Sequence, residues 1–187
     1  MKVLEAIYAR RAVRDYLDRP VAEDVVRDLL RAAVAAPSAM NRQPWRFAVI
    51  QDAVRLKVYS DLAKKQLLAT AALDPKTSHY RELLSAPAFD IFYNAGTLIV
   101  ICVEERGKYD EADAWLAAQN LMLAACDKGL GTCCIGFAVD VFNTPAVKHE
   151  LHLPPGGAAI APIIVGYPRE EPEAVARQEP RILAWHR

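Results

Sequence analysis

Four arginines stand close together near the start of the chain, at Arg10, Arg11, Arg14 and Arg19. A guanidinium group donates paired, charge-assisted hydrogen bonds to phosphate oxygens. Because the first three arginines follow an apolar helical segment, in a stretch that reads as extended, they could converge on one phosphate. In the alternative interpretation they form a solvated turn with Asp15 and Asp18 as partners. The spacing leaves both interpretations open, and the first predicts a small phosphorylated ligand.

A second group of polar side chains lies in the segment PSAMNRQPW, which covers Pro37–Trp45 and joins a predicted helix to a predicted strand. Ser38, Asn41 and Gln43 are uncharged hydrogen-bonding groups, and a proline near each end stiffens the segment. Such groups suit the polar edge of a flat heterocycle, because ligand sites combine apolar walls with a few placed polar groups. An ordinary connecting loop is the other interpretation.

The sequence lacks the motifs of several other kinds of site. The nearest match to a dinucleotide-binding glycine motif, Gly129-x-Gly131, continues to Cys134 and follows a helix instead of a strand. There is no phosphate-binding lysine loop and no nucleophile-elbow motif. His149 and His152 stand three residues apart near a helix end, but the sequence nominates no third ligand. We therefore expect a solvated helix end there, no metal, and no catalytic side chain.

Hydrophobic periodicity predicts the elements that must position these residues. We expect helices over Lys2–Ala9, Ala22–Ala35, Ala53–Leu73, Ser78–Leu84 and Asp110–Lys128, and from a Thr144 cap to Leu151. We expect strands over Trp45–Ile50, Thr97–Val103, Thr132–Ala138 and Ala158–Gly166. Helices outweigh strands, and the strands do not alternate regularly with helices, which predicts an α+β fold.

The predicted helix Asp110–Lys128 is apolar on nearly every side. One stripe contains Trp115 and Leu116, and further apolar residues widen it almost all round. A helix with this pattern is expected to be buried on nearly every side. One domain with three or four strands is too small to bury all the apolar faces of this helix. We therefore expect a second copy of the chain to bury the remaining ones.

The composition sets the broad class of protein. The chain has 187 residues, 53% hydrophobic and 25% charged, as is typical of one globular domain. Its 23 basic residues balance 23 acidic ones, so we expect neither nucleic acid nor an anionic membrane as a partner. The longest apolar stretches are too short to span a bilayer. The four cysteines do not suggest a disulfide framework. We expect a single domain over residues 1–187, with reduced thiols, in the cytoplasm.

The sequence resembles the flavin-dependent nitroreductase family. The matching stretches are RRAVRDY, APSAMNRQPWRFAVI, DAWLAAQNLMLAACDKGLGTCCIGF and PIIVGYP. The resemblance implies an α+β fold with a mainly antiparallel or mixed central sheet flanked by helices, in an intertwined homodimer with FMN sites at the interface. It also implies that hydride from NADH or NADPH passes, by a ping-pong mechanism, to nitroaromatic, quinone or enone-type acceptors.

The resemblance also implies which residues hold FMN. The basic motif that holds the phosphate and the ribityl chain corresponds to Arg10, Arg11, Ala12 and Arg14. The loop that one subunit lays against the flavin ring of the other corresponds to Pro37, Ser38, Ala39, Met40 and Asn41, with Gln43 nearby. The backbone that faces flavin N5 and O4 corresponds to Ile135 and Gly136, and a C-terminal basic residue on the phosphate corresponds to Arg177. A further flavin contact in the middle of the chain could be Lys65.

Three residues depart from the family pattern. Ala12 replaces a common serine, Cys134 stands where an aromatic residue is usual, and Gly96 stands where a proline is usual. Two alternatives to the implied function stay open. One is a flavin enzyme of the same fold with a different chemistry, such as reductive dehalogenation or oxidation of a bound substrate. The other is a flavin-binding protein without useful turnover. The segment Lys76–Gly96, the one candidate for a lid, does not nominate a substrate.

Overall fold

The computed structural model describes residues 1–71 and 80–187. Its helices are α1 (Val3–Ala9), α2 (Glu23–Val34), α3 (Ala53–Ala71), α4 (Arg81–Ser85), α5 (Asp110–Asp127), α6 (Val139–Phe142) and α7 (Pro145–Glu150). Its strands are β1 (Trp45–Ile50), β2 (Thr97–Val103), β3 (Gly131–Cys134) and β4 (Ala158–Gly166). The predicted helices are confirmed within one to three residues where the structure describes them. The last two residues of the predicted third helix, and the start of the predicted Ser78–Leu84 helix, lie outside the described residues.

The strands form one four-stranded antiparallel sheet in the order β1-β2-β4-β3. All seven residues of β2 are buried. Alternate residues of β2 face opposite layers, because side chains point to alternate faces of a strand. Leu98 packs with α3, while Ile99 packs with α2 and α5. The continuous apolar run in β2 is thus explained by helices on both faces of the sheet, which confirms the α+β prediction.

Strand β3 is shorter than the predicted strand Thr132–Ala138, and that prediction was wrong at its C-terminal end. The ladder with β4 ends at Cys134, and Gly136–Ala138 forms a 3₁₀ turn. The reason lies on β4, where Pro162 accepts a hydrogen bond from the Ile135 N–H at 2.8 Å but has no N–H to donate in return. The Ile135 carbonyl accepts from the Ala138 N–H instead, at 3.1 Å, and the chain turns.

Helix α5 is buried along only one face in the single chain. Ala114, Ala117, Leu121 and other small or apolar residues face the sheet and α2. Trp115 and Leu116 on the other face keep 41% and 45% of their surface exposed. The expected burial on nearly every side is therefore not achieved within one chain. No helix in residues 1–71 and 80–187 is long and apolar enough to cross a membrane.

Candidate functional site

The arginine segment runs beside the outer edge of the sheet. Ala12 forms a parallel bridge with Thr132 of β3, and the Val13 N–H donates to the Thr132 carbonyl at 3.0 Å. The side chain of Val13 points inward and is buried. Because neighbouring side chains in extended chain point to opposite sides, this anchor turns Arg14 away from the Val13 side. In the described residues this bridge is the one parallel pairing, because all strands of the sheet pair antiparallel.

Two glycines make room for this segment. A Cβ on Gly131 would lie 2.8 Å from the Val13 side chain, and a Cβ on Gly166 would lie 2.7 Å from the Tyr16 ring. The buried Tyr16 hydroxyl donates to the Val13 carbonyl at 2.7 Å. Burial also raises the pKa of Tyr16 well above its ordinary value, so this hydroxyl stays a donor. The arginine segment is therefore fixed by packing before any ligand binds.

Four of the predicted phosphate residues line one cleft, and the C-terminal arginine joins them. The cleft has a volume of about 600 Å³ and contains Arg10, Arg11, Ala12, Arg14 and Arg177. Asp15, Glu170, Glu171 and Glu173 also line it, so its charge is mixed. The structure thus brings together residues that lie more than 160 positions apart in the sequence, as the resemblance implies.

Arg11 differs from its neighbours in where its guanidinium group points. Its Nη1 donates to the carbonyl of Tyr8 at 2.5 Å and to the carbonyl of Arg10 at 2.9 Å. These carbonyls belong to the C-terminal end of α1, where cations are favoured by the helix dipole. Arg11 therefore caps its own helix, and Arg10 and Arg14 are the better candidates for binding an anion.

A second cavity, of about 350 Å³, has one lining residue in common with the arginine cleft. Arg14 lines both, and the second is completed by Ile91, Tyr93, Cys133, Cys134, Ile135, Gly136 and Phe137. The Arg14 guanidinium lies 6.0 Å from the centre of the Tyr93 ring and interacts with the Tyr93 hydroxyl and the Cys133 thiol. One arginine therefore connects the charged cleft to a more apolar cavity.

The adjacent cysteines Cys133 and Cys134 face opposite sides of the sheet, as neighbouring residues of a strand do. Cys133 packs in the core that contains α3, and Cys134 packs against the core that contains α5, with its sulfur 3.6 Å from Met122 Sδ. Burial raises the pKa of both thiols, and the nearby Arg14 partly offsets this at Cys133. All four cysteines are free. Neither thiol of the pair is activated as a nucleophile.

The backbone at Gly136 opens onto the second cavity. Apart from its neighbours along the chain, a Cβ at Gly136 would meet no atom of residues 1–71 and 80–187 within 4 Å. Ile135 also lines the cavity, but its N–H already donates to Pro162. The first internal hydrogen bond of the 3₁₀ turn uses the Ala138 N–H. Among the described residues, this leaves the N–H groups of Gly136 and Phe137 at the start of the turn as donors.

The loop Pro37–Gln43 folds around three residues in a left-handed backbone conformation. Met40, Asn41 and Gln43 have φ angles of 53°, 55° and 50°, which residues with a side chain adopt rarely. The Gln43 N–H donates to Ser38 Oγ at 3.0 Å, and the Gln43 side chain donates to Asn41 Oδ1 at 3.2 Å. The Met40 side chain is 94% exposed. The loop is thus a defined, outward-facing structure.

The loop does not share a cleft with the arginines in the described part of the same chain. It is bonded to Asp113 near the start of α5, whereas Arg10 lies in a cavity with Cys126 at the other end of that helix. These positions on α5 are separated by about 20 Å along the helix axis. The loop also leads into β1, and Gly136 follows β3, at opposite edges of the sheet and about 14 Å apart by strand spacing.

Lys65, the other flavin contact considered, lies in neither cleft. It lines a separate cavity with Val141 and Val147 of α6 and α7. Sequence reasoning did not select Tyr93 or Cys133 as neighbours of Arg14, nor Asp113 as the partner of the loop. Tyr93 belongs to no recognisable motif, and Asp113 lies inside an apolar helix pattern, so neither residue carries a local signal of its role.

The fold thus places an arginine segment beside the end of β3, with two clefts that share Arg14. The Nitroreductase family model matches residues 7–167, and the chain belongs to this family. A 5,6-dimethylbenzimidazole synthase from Rhodospirillum rubrum is 32% identical over 182 residues, covering 90% of this chain and 83% of that protein. An NADH dehydrogenase from Thermus thermophilus is 29% identical over 181 residues, covering 89% and 86%.

The fold has a close structural counterpart as well. The crystal structure of a nitroreductase with bound FMN from Bacteroides fragilis superposes with a TM-score of 0.79 at 27% identity, over 98% of this chain and 96% of that one. The nitroreductase-like fold, with helices packed on an antiparallel sheet, is thereby established. The predicted membership of the family is confirmed.

Proposed function

We propose that this chain is an FMN-dependent oxidoreductase that takes hydride from NADH or NADPH and reduces nitroaromatic, quinone or enone-type acceptors by a ping-pong mechanism. The observation that carries the proposal is that the arginine cleft and the cavity at Gly136 share a lining residue, Arg14. When bound, FMN supplies the hydride chemistry itself, so the chain needs no nucleophile of its own. We propose that residues 1–187 form one domain and that the protein is cytoplasmic.

The residues of the two clefts fit FMN. The volumes of the two clefts lie within the range of small-molecule sites, which is about 300–1,000 Å³. Arg10, Arg14 and Arg177 would donate to the terminal phosphate, in a cleft whose lining arginines and carboxylates are equal in number. The open space above Gly136 is where a flat ring could approach the backbone. An anionic phosphate end and an apolar ring end are both accommodated.

The chain's own groups would orient the ring. The N–H groups of Gly136 and Phe137 are donors at the edge of the cavity, suited to a ring atom whose charge changes on reduction. Tyr93 and Cys133 line the second cavity beside the Arg14 guanidinium, which lies 6.0 Å from the centre of the Tyr93 ring. Met122 and Cys134 form an apolar wall nearby. These groups bind and orient, and none is required to transfer a proton.

We propose that each site is shared between two copies of the chain in an intertwined homodimer. The loop Pro37–Gln43 and the cavity at Gly136 lie at opposite edges of the sheet in one chain, so one ring cannot contact both unless the loop comes from a second copy. The exposed Trp115 and Leu116 on α5 offer an apolar surface for that copy. The loop would then cover the ring with Ser38, Met40 and Asn41 of the partner subunit.

The first experiment measures flavin binding and electron transfer. Purified protein should be yellow, and apoprotein should quench the fluorescence of added FMN with one FMN per chain. FAD should bind less well, because the clefts present one group of arginines and the sequence has no dinucleotide motif. Anaerobic addition of NADH or NADPH should bleach the flavin, and a panel of acceptors should restore its colour. A protein that neither contains nor binds FMN contradicts the proposal.

A second experiment tests the sharing of sites. Two inactive variants are mixed and refolded, one with Arg10 and Arg14 changed to alanine, the other with Ser38–Asn41 replaced by glycines. Heterodimers should contain one wholly native site and recover part of the activity. Heterodimers without any activity would contradict shared sites, as would a fully active monomer.

A different chemistry on the same flavin is the second candidate function. The relative with the highest identity given above is named a 5,6-dimethylbenzimidazole synthase, which is not the name of a nitro-group reductase. Reductive dehalogenation, oxidation of a bound substrate, or flavin binding without useful turnover would each keep the two clefts. The acceptor panel distinguishes these, because a nitroreductase reoxidises with nitroaromatics or quinones at rates well above that of oxygen alone.

A further inference from the structure

We propose that Asp113 is a positioning residue that holds the loop Pro37–Gln43 in shape and thereby sets the FMN affinity of the site in the second copy of the chain. This inference rests on the proposed function, because it requires FMN and shared sites. Asp113 is 4% exposed and lies in the first turn of α5. Its two carboxylate oxygens accept from the Ala39 N–H at 3.2 and 3.1 Å.

The loop needs an external support because of its own backbone. Met40, Asn41 and Gln43 all adopt the left-handed conformation, which is unfavourable for residues with a Cβ and persists only where the surroundings impose it. The bonds inside the loop, such as Gln43 N–H to Ser38 Oγ, close it on itself. They do not tie it to the rest of the fold. The Asp113 carboxylate provides that tie immediately before the first left-handed residue.

A second contact holds the far side of the same turn. Arg42 lies 3.7 Å from the buried carboxylate of Asp110, which stands one helical turn before Asp113. The Asp110 carboxylate also accepts from the Gly107 N–H at 3.0 Å. Met40 and Asn41 are thus held between two anchors on one turn of α5. Both carboxylates lie at the helix N-terminus, where negative charge is favoured.

The geometry predicts that Asp113 acts on the partner's site and not on the site of its own chain. Its loop points outward, with Met40 almost fully exposed, and the arginine cleft of the same chain lies toward the other end of α5. Loss of the Asp113 tie would let the loop leave its left-handed conformation. The ring in the partner's site would then lose its cover, while the arginines that hold the phosphate would be unchanged.

The first test is an equilibrium titration of apoprotein with FMN, followed by flavin fluorescence. We expect Asp113→Ala to raise the Kd for FMN at least about tenfold, as for loss of a charge-assisted hydrogen bond. Asp113→Asn keeps an oxygen acceptor for the Ala39 N–H and should bind within about threefold of the wild type. The control is Glu111→Ala, which removes an exposed carboxylate from the same turn. An unchanged Kd in Asp113→Ala would overturn the inference, as would equal losses in the alanine and asparagine variants.

The second test asks in which site the effect appears. A heterodimer is made from one Asp113→Ala chain and one chain with both Arg10→Ala and Arg14→Ala, isolated with two different tags. One site then combines native arginines with a native loop, and the other combines both defects. We expect half an FMN per chain to bind with the wild-type Kd. If no site of wild-type affinity remains, Asp113 acts within its own chain and the inference is wrong.

The outcomes separate this inference from the proposed function. If the wild-type protein does not bind FMN, the proposed function fails at the first titration. If the wild type binds FMN and the Asp113 variants bind equally well, the inference alone fails. Should Asp113→Ala not yield folded protein, Asp113→Ser, a polar residue suited to a first helical turn, takes its place in both titrations and the same criteria apply.

Discussion

Gly131 faces Gly166 across the β3–β4 ladder, and the side chains of Val13 and Tyr16 occupy the space that side chains at these two positions would fill. This pair of glycines allows the arginine segment to lie against the sheet edge, and it therefore determines where Arg10 and Arg14 stand. The position of the arginines thus depends on close packing at two glycines that line neither of the two clefts.

The first prediction follows from this contact. Gly131→Ala would place a Cβ 2.8 Å from Val13, so the segment must shift. We expect a loss of about 1–3 kcal/mol in the free energy of unfolding, as for other overpacked sites, together with weaker FMN binding. Gly96→Ala is the matched control, because a Cβ there meets no atom of the part of the chain that the structure describes within 4 Å, its chain neighbours apart. Urea unfolding and FMN titration measure both effects. Equal behaviour of the two variants would contradict the packing argument.

The second prediction distinguishes the arginines. Arg10→Ala or Arg14→Ala should weaken FMN binding by about 1.5–3 kcal/mol, the range for hydrogen bonds to charged groups. Arg11→Ala should weaken FMN binding less than these two variants and lower the free energy of unfolding more, because its guanidinium caps α1. Arg19→Ala is the control, since that guanidinium lies over the Tyr167 ring at 4.0 Å, apart from the cleft. If all four variants bind FMN like the wild type, the arginine group is a solvated turn.

The third prediction concerns the open space at the second cavity. Gly136→Val should leave the free energy of unfolding of the apoprotein nearly unchanged, because its Cβ meets no described residue except its neighbours along the chain. It should nevertheless reduce FMN affinity at least about tenfold by occupying the space proposed for the ring. Gly96→Val adds the same side chain at another open glycine and should bind FMN normally. Normal FMN binding by Gly136→Val would place the ring elsewhere.

The fourth prediction is a dependence of stability on pH that Cys102 should produce. Burial raises the pKa of this thiol from 9.0 to about 12 in the folded protein. Unfolded chains then lose the proton above pH 9 while folded chains keep it. The contribution of the Cys102 thiol to the free energy of unfolding is therefore fully present below pH 9. It declines by about 1.4 kcal/mol per pH unit as the pH rises toward 12. Cys102→Ala should have a flatter curve of unfolding free energy between pH 8 and 10.5. Parallel curves for the two proteins would contradict it.

Much of this site could be predicted from residue types and from the family resemblance. The spacing of Arg10 and Arg14 leaves an anion site and a solvated turn both open, and the resemblance implies Arg177 as a further phosphate residue. The structure places Arg177 in the same cleft as both arginines. The end of β3 could not be predicted from its own residues, because it depends on Pro162, about 27 positions away, which lacks an N–H to donate. The role of Asp113 could not be predicted for a similar reason, because its hydrogen bond with the Ala39 N–H is a long-range contact that no local pattern signals.

The last prediction tests the dimer through the exposed face of α5. Leu116 and Val58 are similarly exposed in the single chain, at 45% and 50%, but Val58 lies on α3, on the other side of the sheet. If the α5 face packs against a second copy, Leu116→Glu would bury an unpaired carboxylate there, at a cost of about 2 kcal/mol or more. We expect this variant to sediment as a monomer and to lose FMN, because the partner's loop would be missing. Val58→Glu should remain dimeric and yellow. A dimeric, FMN-loaded Leu116→Glu protein would show that another surface joins the two copies.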